Sequence, residues 1–449
     1  MPDRRPLTEL VASFVAATPS AVISRVVVEH AKNIILDTVG VALAASARSI
    51  GTVMAHYVAE NAGGPASATV LGAGMKASAP MAALANGTLA NALDFDEGSH
   101  LSTHILPAAL AIAEHRNLSG GQTLDAFILA YEASARLTQA VDFKRHEKRG
   151  PTHRGWWHVG LVGPIASAMV ASRLLGLDPH RTAIAIGIAS CACGGFRRNM
   201  GTMAKALHSG NAARAGIEAA MLAQRGFTAD IAIIEAPLGF LDAVVLPDDR
   251  DLAAITERLG RPYVLEGPPR LKRYPACNPG HPLIDAALRL IHEHGVSADQ
   301  IESIEADLHT FSLLRLDPCD EESAGFSGAF VIAATLIHGA LTLDQVTGEA
   351  ARDPRVKALM TRIRHAPAAD PETMVVLMRD GRRERIDVGP VRRLSQHCAI
   401  LEKFDRCAVP VVGRAAAEIL KEQIESLEQQ PDLGRLMAAA GRAVVDSAA

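Results

Sequence analysis

The sequence is poor in aromatic residues and carries no large excess of either charge. Phe, Trp and Tyr make up 4% of its 449 residues, whereas hydrophobic residues together make up 49%. The core must therefore consist mainly of Ala, Val, Leu and Ile, and because small residues let helices approach closely, we expect a helix-rich protein. Lys and Arg (45) nearly balance Asp and Glu (49). This balance argues against binding to nucleic acid or to an anionic membrane, since both need a basic face.

Long hydrophobic runs and cysteine motifs are also missing. The longest uncharged stretches, at 159–172, 183–196 and 327–343, are shorter than the roughly 20 apolar residues that cross a bilayer. The first residues show no apolar segment with a cleavage site, so we expect no signal peptide and a cytoplasmic location. The six cysteines form no CxxC pair. This is typical of reduced thiols and argues against a cysteine-based zinc or iron–sulfur site.

The hydrophobic pattern predicts two kinds of segment. From Leu7 to about Leu265 apolar residues recur at helical spacing, with Pro107 and Pro164 expected near helix starts and a short strand or turn at 68–71. The pattern of apolar residues changes after the Gly-Pro-Pro at 267–269, which indicates a domain boundary.

The segment after this boundary predicts an α+β structure. Its helices are expected at 282–294, 330–337 and 354–363, its first strand at 301–309, and a hairpin at 374–388 with the turn at Asp380-Gly381. From about Leu394 the pattern returns to helix. We therefore predict a mainly α protein with a discontinuous all-helical domain (1–266 and 394–449) and a smaller α+β domain (267–393) inserted into it.

Nucleotide-binding and serine-hydrolase signatures are absent, but four polar clusters interrupt the apolar sequence. The first cluster, at 94–107, contains Asp94, Asp96, His100 and His104. It could bind a metal ion, because His100 and His104 would share a face if the segment were helical. The alternative is that its carboxylates cap a helix that begins near Pro107.

The other three clusters leave similar alternatives. The segment 154–158 holds both tryptophans and His158, and it either lines a cavity or forms a buried aromatic plug. The segment 201–211 contains Lys205, which needs an anion inside a helical core, either a ligand or an internal partner. The segment 272–281 suits a carboxylate ligand at a domain junction, although a basic loop facing water is the alternative. Cys277 there is expected to be structural, because no partner base is identifiable.

In this order the clusters resemble the MmgE/PrpD family. DFD at 94–96 with His104 resembles the family pattern DFDD…HP, GTMAKALHSG at 201–210 resembles GTMTKPLHxG, and KRYPACNPGH at 272–281 resembles KxYPxCxxxH. The family includes 2-methylcitrate dehydratase, cis-aconitate decarboxylase and iminodisuccinate epimerase. The resemblance covers nearly the whole chain.

The resemblance implies a helical domain closed by the α+β domain as a lid, an active site between the two, and a homodimer. It also implies proton transfer next to a carboxylate of a small di- or tricarboxylate, without a metal or an organic cofactor. A hydro-lyase similar to 2-methylcitrate dehydratase is the first expectation. An epimerase, a decarboxylase and a non-catalytic carboxylate-binding protein on the same fold are the alternatives.

The motifs also imply which residues face the substrate. The residues expected to take part in catalysis are Asp94, His104, His158, Lys205, Lys272 and His281. The residues expected to contact the substrate are Arg197, Arg198, His208, Cys277 and Tyr274. We hypothesise that Lys205, Lys272 and His281 bind carboxylates, and that His104, oriented by Asp94, is the general acid/base.

The sequence departs from the family pattern at several positions. Gly98 replaces a common Thr, and Ile105 replaces the Pro after the first histidine. The family's Gly-Phe/Trp-His-Pro-Thr becomes GWWHV at 155–159, which displaces the histidine by one position and puts Trp157 in its place. Cys277 stands where cis-aconitate decarboxylase has a histidine. These departures predict a substrate that differs from those of the named members.

Overall fold

The computed structural model describes residues 6–61, 63–141, 150–308, 315–366 and 373–441. Most of these residues are helical, which confirms the mainly α class expected from the composition. The part of the chain before the predicted boundary contains one short hairpin, β1 (Ala68–Val70) and β2 (Met75–Ala77). Its helices are α1 (Leu7–Ala17), α2 (Arg25–Ser46), α3 (Ser49–Asn61), α4 (Ala79–Ala92), α5 (Ser102–Arg116), α6 (Gly120–Val141), α7 (His158–Leu174), α8 (Pro179–Ser190), α9 (Met203–Gln224), α10 (Phe240–Val244) and α11 (Ala253–Thr256).

Helices α4, α7 and α9 pack at the centre of this part, and glycines bring their backbones together. A β-carbon at Gly210 of α9 would lie 2.2 Å from the carbonyl oxygen of Leu84 in α4. A β-carbon at Gly216 would lie 2.4 Å from the amide nitrogen of Ala168 in α7. Only glycine permits this approach, which sets the start of α9 beside the end of α4.

The segment 274–386 forms a second hydrophobic cluster around a four-stranded sheet. The sheet order is β4-β3-β5-β6, with β3 parallel to β4 and antiparallel to β5. Its strands are β3 (Ile301–Ala306), β4 (Ile363–His365), β5 (Thr373–Met378) and β6 (Arg383–Asp387). The helices of this segment are α12 (Gly280–His292), α13 (Glu321–Ala324), α14 (Gly328–His338), α15 (Gly348–Arg352) and α16 (Pro354–Met360).

The C-terminal helices return to the first hydrophobic cluster. They are α17 (His397–Val412), α18 (Arg414–Glu425) and α19 (Gly434–Ala440). Leu420, Ile424 and Leu427 are buried in that cluster. Phe404 of α17 lies against α2, where a β-carbon at Gly40 would be 2.9 Å from its ring.

Several predicted boundaries were wrong. Pro107 and Pro164 lie inside α5 and α7 and not near their starts, because each helix begins within the preceding polar cluster. The helix predicted at 354–363 ends at Met360, and the chain then forms β4, a strand that the sequence did not predict. The hairpin at 374–388 and the strand from Ile301 are confirmed, although His309 lies outside the described residues.

No single described helix is both long and apolar enough to cross a membrane. Helices α2 and α3, taken together across an 86° bend, meet these two criteria as a pair.

Candidate active site

The first polar cluster forms a loop between α4 and α5 that is bounded by two left-handed residues. Asp94 lies two residues beyond the end of α4 with φ 47°, and His100 precedes α5 with φ 59°. Left-handed backbone at a non-glycine residue costs on the order of 1 kcal/mol, so the surrounding contacts must hold the loop in place. The metal hypothesis placed His100 and His104 on one helix face, and this is wrong because His100 lies in the loop and His104 lies in α5.

Glu97 caps the helix that follows this loop. Its Oε1 accepts a hydrogen bond from the backbone N–H of Ser102 at 2.7 Å, and its Oε2 accepts one from the hydroxyl of Tyr131. Burial raises the pKa of Glu97 against these hydrogen bonds. The capping alternative therefore holds for Glu97, at a helix that starts earlier than predicted.

Asp94 connects the loop between α4 and α5 to Lys205 and Lys272. Its Oδ1 accepts from Lys205 Nζ at 2.5 Å, and its Oδ2 accepts from Lys272 Nζ at 2.7 Å. All three side chains are buried. Burial alone would raise the pKa of Asp94, but the ammonium groups of both lysines hold it well below its usual value. The folded chain thus brings Lys205 and Lys272, which are far apart in sequence, to a single carboxylate.

A second buried pair lies beside this cluster. Asp96 Oδ2 lies 2.5 Å from His100 Nδ1, and His100 Nε2 lies 3.7 Å from Asp94 Oδ1. Burial lowers the pKa of His100 although Asp96 opposes the shift, so its imidazole is neutral near pH 7. Donor atoms of Asp94, Asp96 and His100 lie within 4.8 Å of one another, a spacing that could hold a metal ion. Two ammonium groups already contact Asp94, and their charge would repel such a cation.

His104 lies in the first turn of α5 and is fully buried, with 0% exposure. Neither ring nitrogen has a hydrogen-bond partner among the described residues. Asp94 therefore does not orient His104 as hypothesised, because Asp94 is held by the two lysines. Burial lowers the pKa of His104 to about 3, helped by the nearby His158 and His100. The neutral imidazole can accept a proton as a general base, whereas the imidazolium form that a general acid needs is disfavoured.

Trp157 and not His158 takes the buried position of the second cluster. Trp157 is 7% exposed and packs with Met200, Cys277 and Phe326, so it joins the helical part to the segment after residue 270. Its indole Nε1 is buried and unpartnered within the described part of the chain. His158 is half-buried, its ring lies 4.4 Å from that of Trp157, and its Nε2 donates to the carbonyl oxygen of Ser99 at 3.0 Å.

Three other predicted residues of the 272–281 segment lie around Lys272. Burial raises the pKa of the Cys277 thiol to about 12, which disfavours the nucleophilic thiolate. Burial lowers the pKa of His281 to about 3, and its Nε2 donates to the carbonyl oxygen of Ala276 at 3.1 Å. Tyr274 directs its hydroxyl to Asp285 at 2.7 Å and packs its ring against His281, so it positions His281 rather than presenting its hydroxyl to a ligand.

The remaining predicted residues lie at the edge of the site. Arg197 Nη1 donates to the carbonyl oxygen of Thr152 at 3.0 Å. His208 is half-buried beside Gly195, and burial lowers its pKa. Arg198 is solvent-exposed, so the structure does not bring it into the buried cluster.

Two cations that the sequence analysis missed also reach the site. Lys403 of α17 and Arg393, which precedes that helix, come from the C-terminal part of the chain. Lys403 Nζ donates to the carbonyl oxygens of Phe95 at 2.5 Å and Lys272 at 3.1 Å, and it forms an ion pair with Asp37 at 2.7 Å. A lysine within an amphipathic helix pattern gives no signal of such a role, because most lysines of this kind face water.

Comparison with known proteins identifies the family to which the chain is similar. The chain matches the MmgE/PrpD N-terminal domain over residues 9–253 and the MmgE/PrpD C-terminal domain over residues 274–429. It is 27% identical to cis-aconitate decarboxylase of Mus musculus, covering 90% of this chain and 87% of that protein. It is 28% identical to the Homo sapiens protein of the same name, covering 75% and 72%. It is 27% identical to mitochondrial 2-methylcitrate dehydratase of Yarrowia lipolytica, covering 76% and 68%.

Proposed function

The chain belongs to the MmgE/PrpD family, and from this membership and the geometry of the site we propose that it is a lyase that acts on a small di- or tricarboxylate without a cofactor. The observation that carries the proposal is that the buried side chains of Lys205 and Lys272 both form ion pairs with Asp94. Preorganised cations in a site of low dielectric constant stabilise the negative charge that develops when a C–H bond next to a carboxylate breaks. Each such donor contributes about 3 kcal/mol.

We propose dehydration as the reaction. His104 is neutral and takes the proton from carbon, and the electron pair of that C–H bond forms the C=C bond as the C–O bond breaks. The departing hydroxyl takes a proton carried by His158 and leaves as water. Lys205 and Lys272 stabilise, as hydrogen-bond donors, the charge that develops on the carboxylate next to the broken C–H bond, and the indole N–H of Trp157 is a further neutral donor.

The surroundings of Cys277 favour dehydration over decarboxylation. Its thiol is buried among Trp157, Met200 and Phe326, and its raised pKa keeps the thiol protonated near neutral pH, so it cannot serve as a proton donor for catalysis. A histidine at this position, as in cis-aconitate decarboxylase, would supply one. Decarboxylation remains the second candidate because relatives named cis-aconitate decarboxylase align with most of the chain. In both cases the substrate is proposed to lie between the helical part and the α+β domain, which would act as a lid.

The proposal is tested by incubating the protein in deuterated buffer with a panel of C4 to C7 di- and tricarboxylates and following the solutes by NMR. We expect loss of water from one hydroxy acid of the panel and deuterium incorporation at the carbon that loses its proton in this reaction. His104→Ala and Lys205→Ala should each lower turnover by about 100- to 10,000-fold with the fold retained. His180→Ala, at an exposed histidine, is the matched control.

The possible results separate the alternatives. Release of CO2 from cis-aconitate without loss of water from any hydroxy acid would establish decarboxylation instead. Tight binding without exchange or turnover would favour the non-catalytic carboxylate-binding protein.

A further inference from the structure

The charges at the centre of the site cancel. Lys205 and Lys272 carry two positive charges, and Asp94 and Asp96 carry two negative charges, while burial keeps His100 neutral. A substrate with two or three carboxylates brings a further negative charge that these residues do not compensate. Burial of an uncompensated charge is costly, so a site for such a substrate needs another cation close to the cluster.

The backbone places Arg393 at this position. The segment around Leu271 pairs on one side with the loop, through the Glu97–Leu271 bridge and a 2.8 Å hydrogen bond from the amide of Gly98 to the carbonyl oxygen of Arg270. On its other side it pairs with Leu394, whose amide donates to Leu271 at 3.0 Å. These pairings bring the residue before Leu394 next to Lys272 and the loop.

The guanidinium of Arg393 occupies the space beside Gly98. A β-carbon at Gly98 would lie 3.1 Å from Nη2 of Arg393. Nη1 is buried and has no hydrogen-bond partner among the residues the structure describes. The charge of Arg393 acts on His281, Asp94 and Asp96, which places it at the same cluster. Buried guanidinium nitrogens normally have partners, so an unpartnered one at a polar cluster indicates a ligand.

We propose that Arg393 binds a carboxylate of the substrate and determines the specificity of the site, and that Gly98 leaves the room its guanidinium needs. This inference rests on the proposed function, in that the ligand is a small polycarboxylate. A guanidinium presents parallel N–H donors that match the two oxygens of a carboxylate, which a lysine ammonium cannot do. The side chain adds the positive charge that the central cluster lacks.

The inference is tested by binding of tricarballylate, a tricarboxylate without a hydroxyl group or a double bond, measured by titration calorimetry. Because this compound has no group to eliminate, binding is measured independently of the reaction. Arg393→Gln should weaken binding by about 10- to 100-fold, as expected for loss of a charged hydrogen-bonding partner. Arg393→Lys should fall between this variant and the wild type. Arg392→Gln, which removes the charge of the exposed neighbour, should change binding less than twofold.

Gly98→Ala tests the same contact from the opposite side. The backbone of Gly98 lies outside the left-handed region, so alanine fits the chain, and its methyl group would lie 3.1 Å from Nη2 of Arg393, so the guanidinium must shift by a few tenths of an ångström. We expect weaker tricarballylate binding with unchanged circular dichroism. In turnover assays Arg393→Gln should raise KM more than it lowers kcat, because the contact is made in both the ground state and the transition state.

The failure of this inference can be distinguished from failure of the proposed function. Wild-type protein that binds tricarballylate but turns over no substrate would remove the proposed function and leave the inference standing. Binding by Arg393→Gln within twofold of the wild type would overturn the inference, and so would an equal loss in Arg392→Gln. Absence of tricarballylate binding by the wild type would also overturn it.

Discussion

At the scale of single residues, Lys403 bridges the two backbone segments that carry the central ion pairs, one at Phe95 and one at Lys272. Its ammonium donates to the carbonyl oxygen of Phe95, next to Asp94, and to the carbonyl oxygen of Lys272 itself. It also lies 3.9 Å from the centroid of the Phe95 ring. Asp37 balances its charge from α2, and burial raises the pKa of Asp37 to about 6 while Lys403 opposes that shift. These contacts give Lys403 a positioning role for the residues of the central ion pairs.

We expect Lys403→Met to destabilise the protein by about 3 kcal/mol, because Asp37 would lose its partner inside the core. Replacing both residues in Lys403→Met/Asp37→Leu should recover most of that loss, since an apolar pair needs no compensation. Urea unfolding measures both effects. Arg435→Gln, which breaks the exposed pair with Glu422, is the control and should cost less than about 1 kcal/mol. A double variant no more stable than Lys403→Met would contradict this account of the pair.

At the scale of elements, the contact between α4 and α9 sets the geometry of the site. Asp94 lies two residues beyond the end of α4, and Lys205 lies in the first turn of α9. The two helices touch through glycines, since a β-carbon at Gly87 would lie 2.9 Å from the α-carbon of Gly210. The separation of these helices therefore controls the distance between Asp94 and Lys205.

Gly210→Ala should test this dependence. Its methyl group would meet the carbonyl oxygen of Leu84 and the hydroxyl of Thr88, both 2.2 Å from the position of the added carbon. We expect a loss of about 3 kcal/mol in the free energy of unfolding, and a lower activity at temperatures where the variant is folded. Gly63→Ala, where no atom lies within 4 Å, should be neutral or slightly stabilising. Unchanged stability of Gly210→Ala would show that the helices can separate at little cost.

At the scale of the whole molecule, buried neutral histidines link folding to pH. The folded-state pKa values of His104 and His281 are both about 3, below the ordinary value of 6.5. Between these values the unfolded chain binds protons that the folded protein does not, so stability falls as the pH drops below 6.5. Asp37 acts in the opposite direction. Its pKa is about 6 in the folded protein and 3.8 ordinarily, so between these values the folded protein binds a proton that the unfolded chain does not, and stability rises as the pH falls.

His104 and His281 together outweigh Asp37. Their combined effect on acidification from pH 7.5 to pH 5 should lower the free energy of unfolding by about 2 to 3 kcal/mol. His104→Gln should reduce the loss by about 2 kcal/mol, because it removes one of the two histidines. Urea unfolding at both pH values measures the difference. The exposed His180 provides the control, and His180→Gln should leave the pH dependence unchanged. If the His104→Gln variant kept the pH dependence of the wild type, this would contradict the prediction, because it would mean that His104 is charged in the folded wild-type protein.

The homodimer implied by the family resemblance stays a prediction at this scale. Light scattering coupled to size-exclusion chromatography should give the mass of two chains. The mass of a single chain would contradict it.

The sequence by itself determined the family, the mainly α class, most of the strands and helices, and the segments that supply Asp94, Lys205 and Lys272. These features follow from local periodicity and from short motifs, which are written in consecutive residues. Only the tertiary structure decided how the side chains pair. It showed that Asp94 forms ion pairs with the two lysines and does not hydrogen-bond to His104. It also showed that Trp157 takes the buried position of the second cluster, and that Arg393 and Lys403 reach the site from the C-terminal part of the chain. The reason is physical: a buried charge is stabilised by whichever opposite charge the fold brings within a few ångströms, and that distance depends on helix packing and strand pairing between distant segments rather than on spacing along the chain.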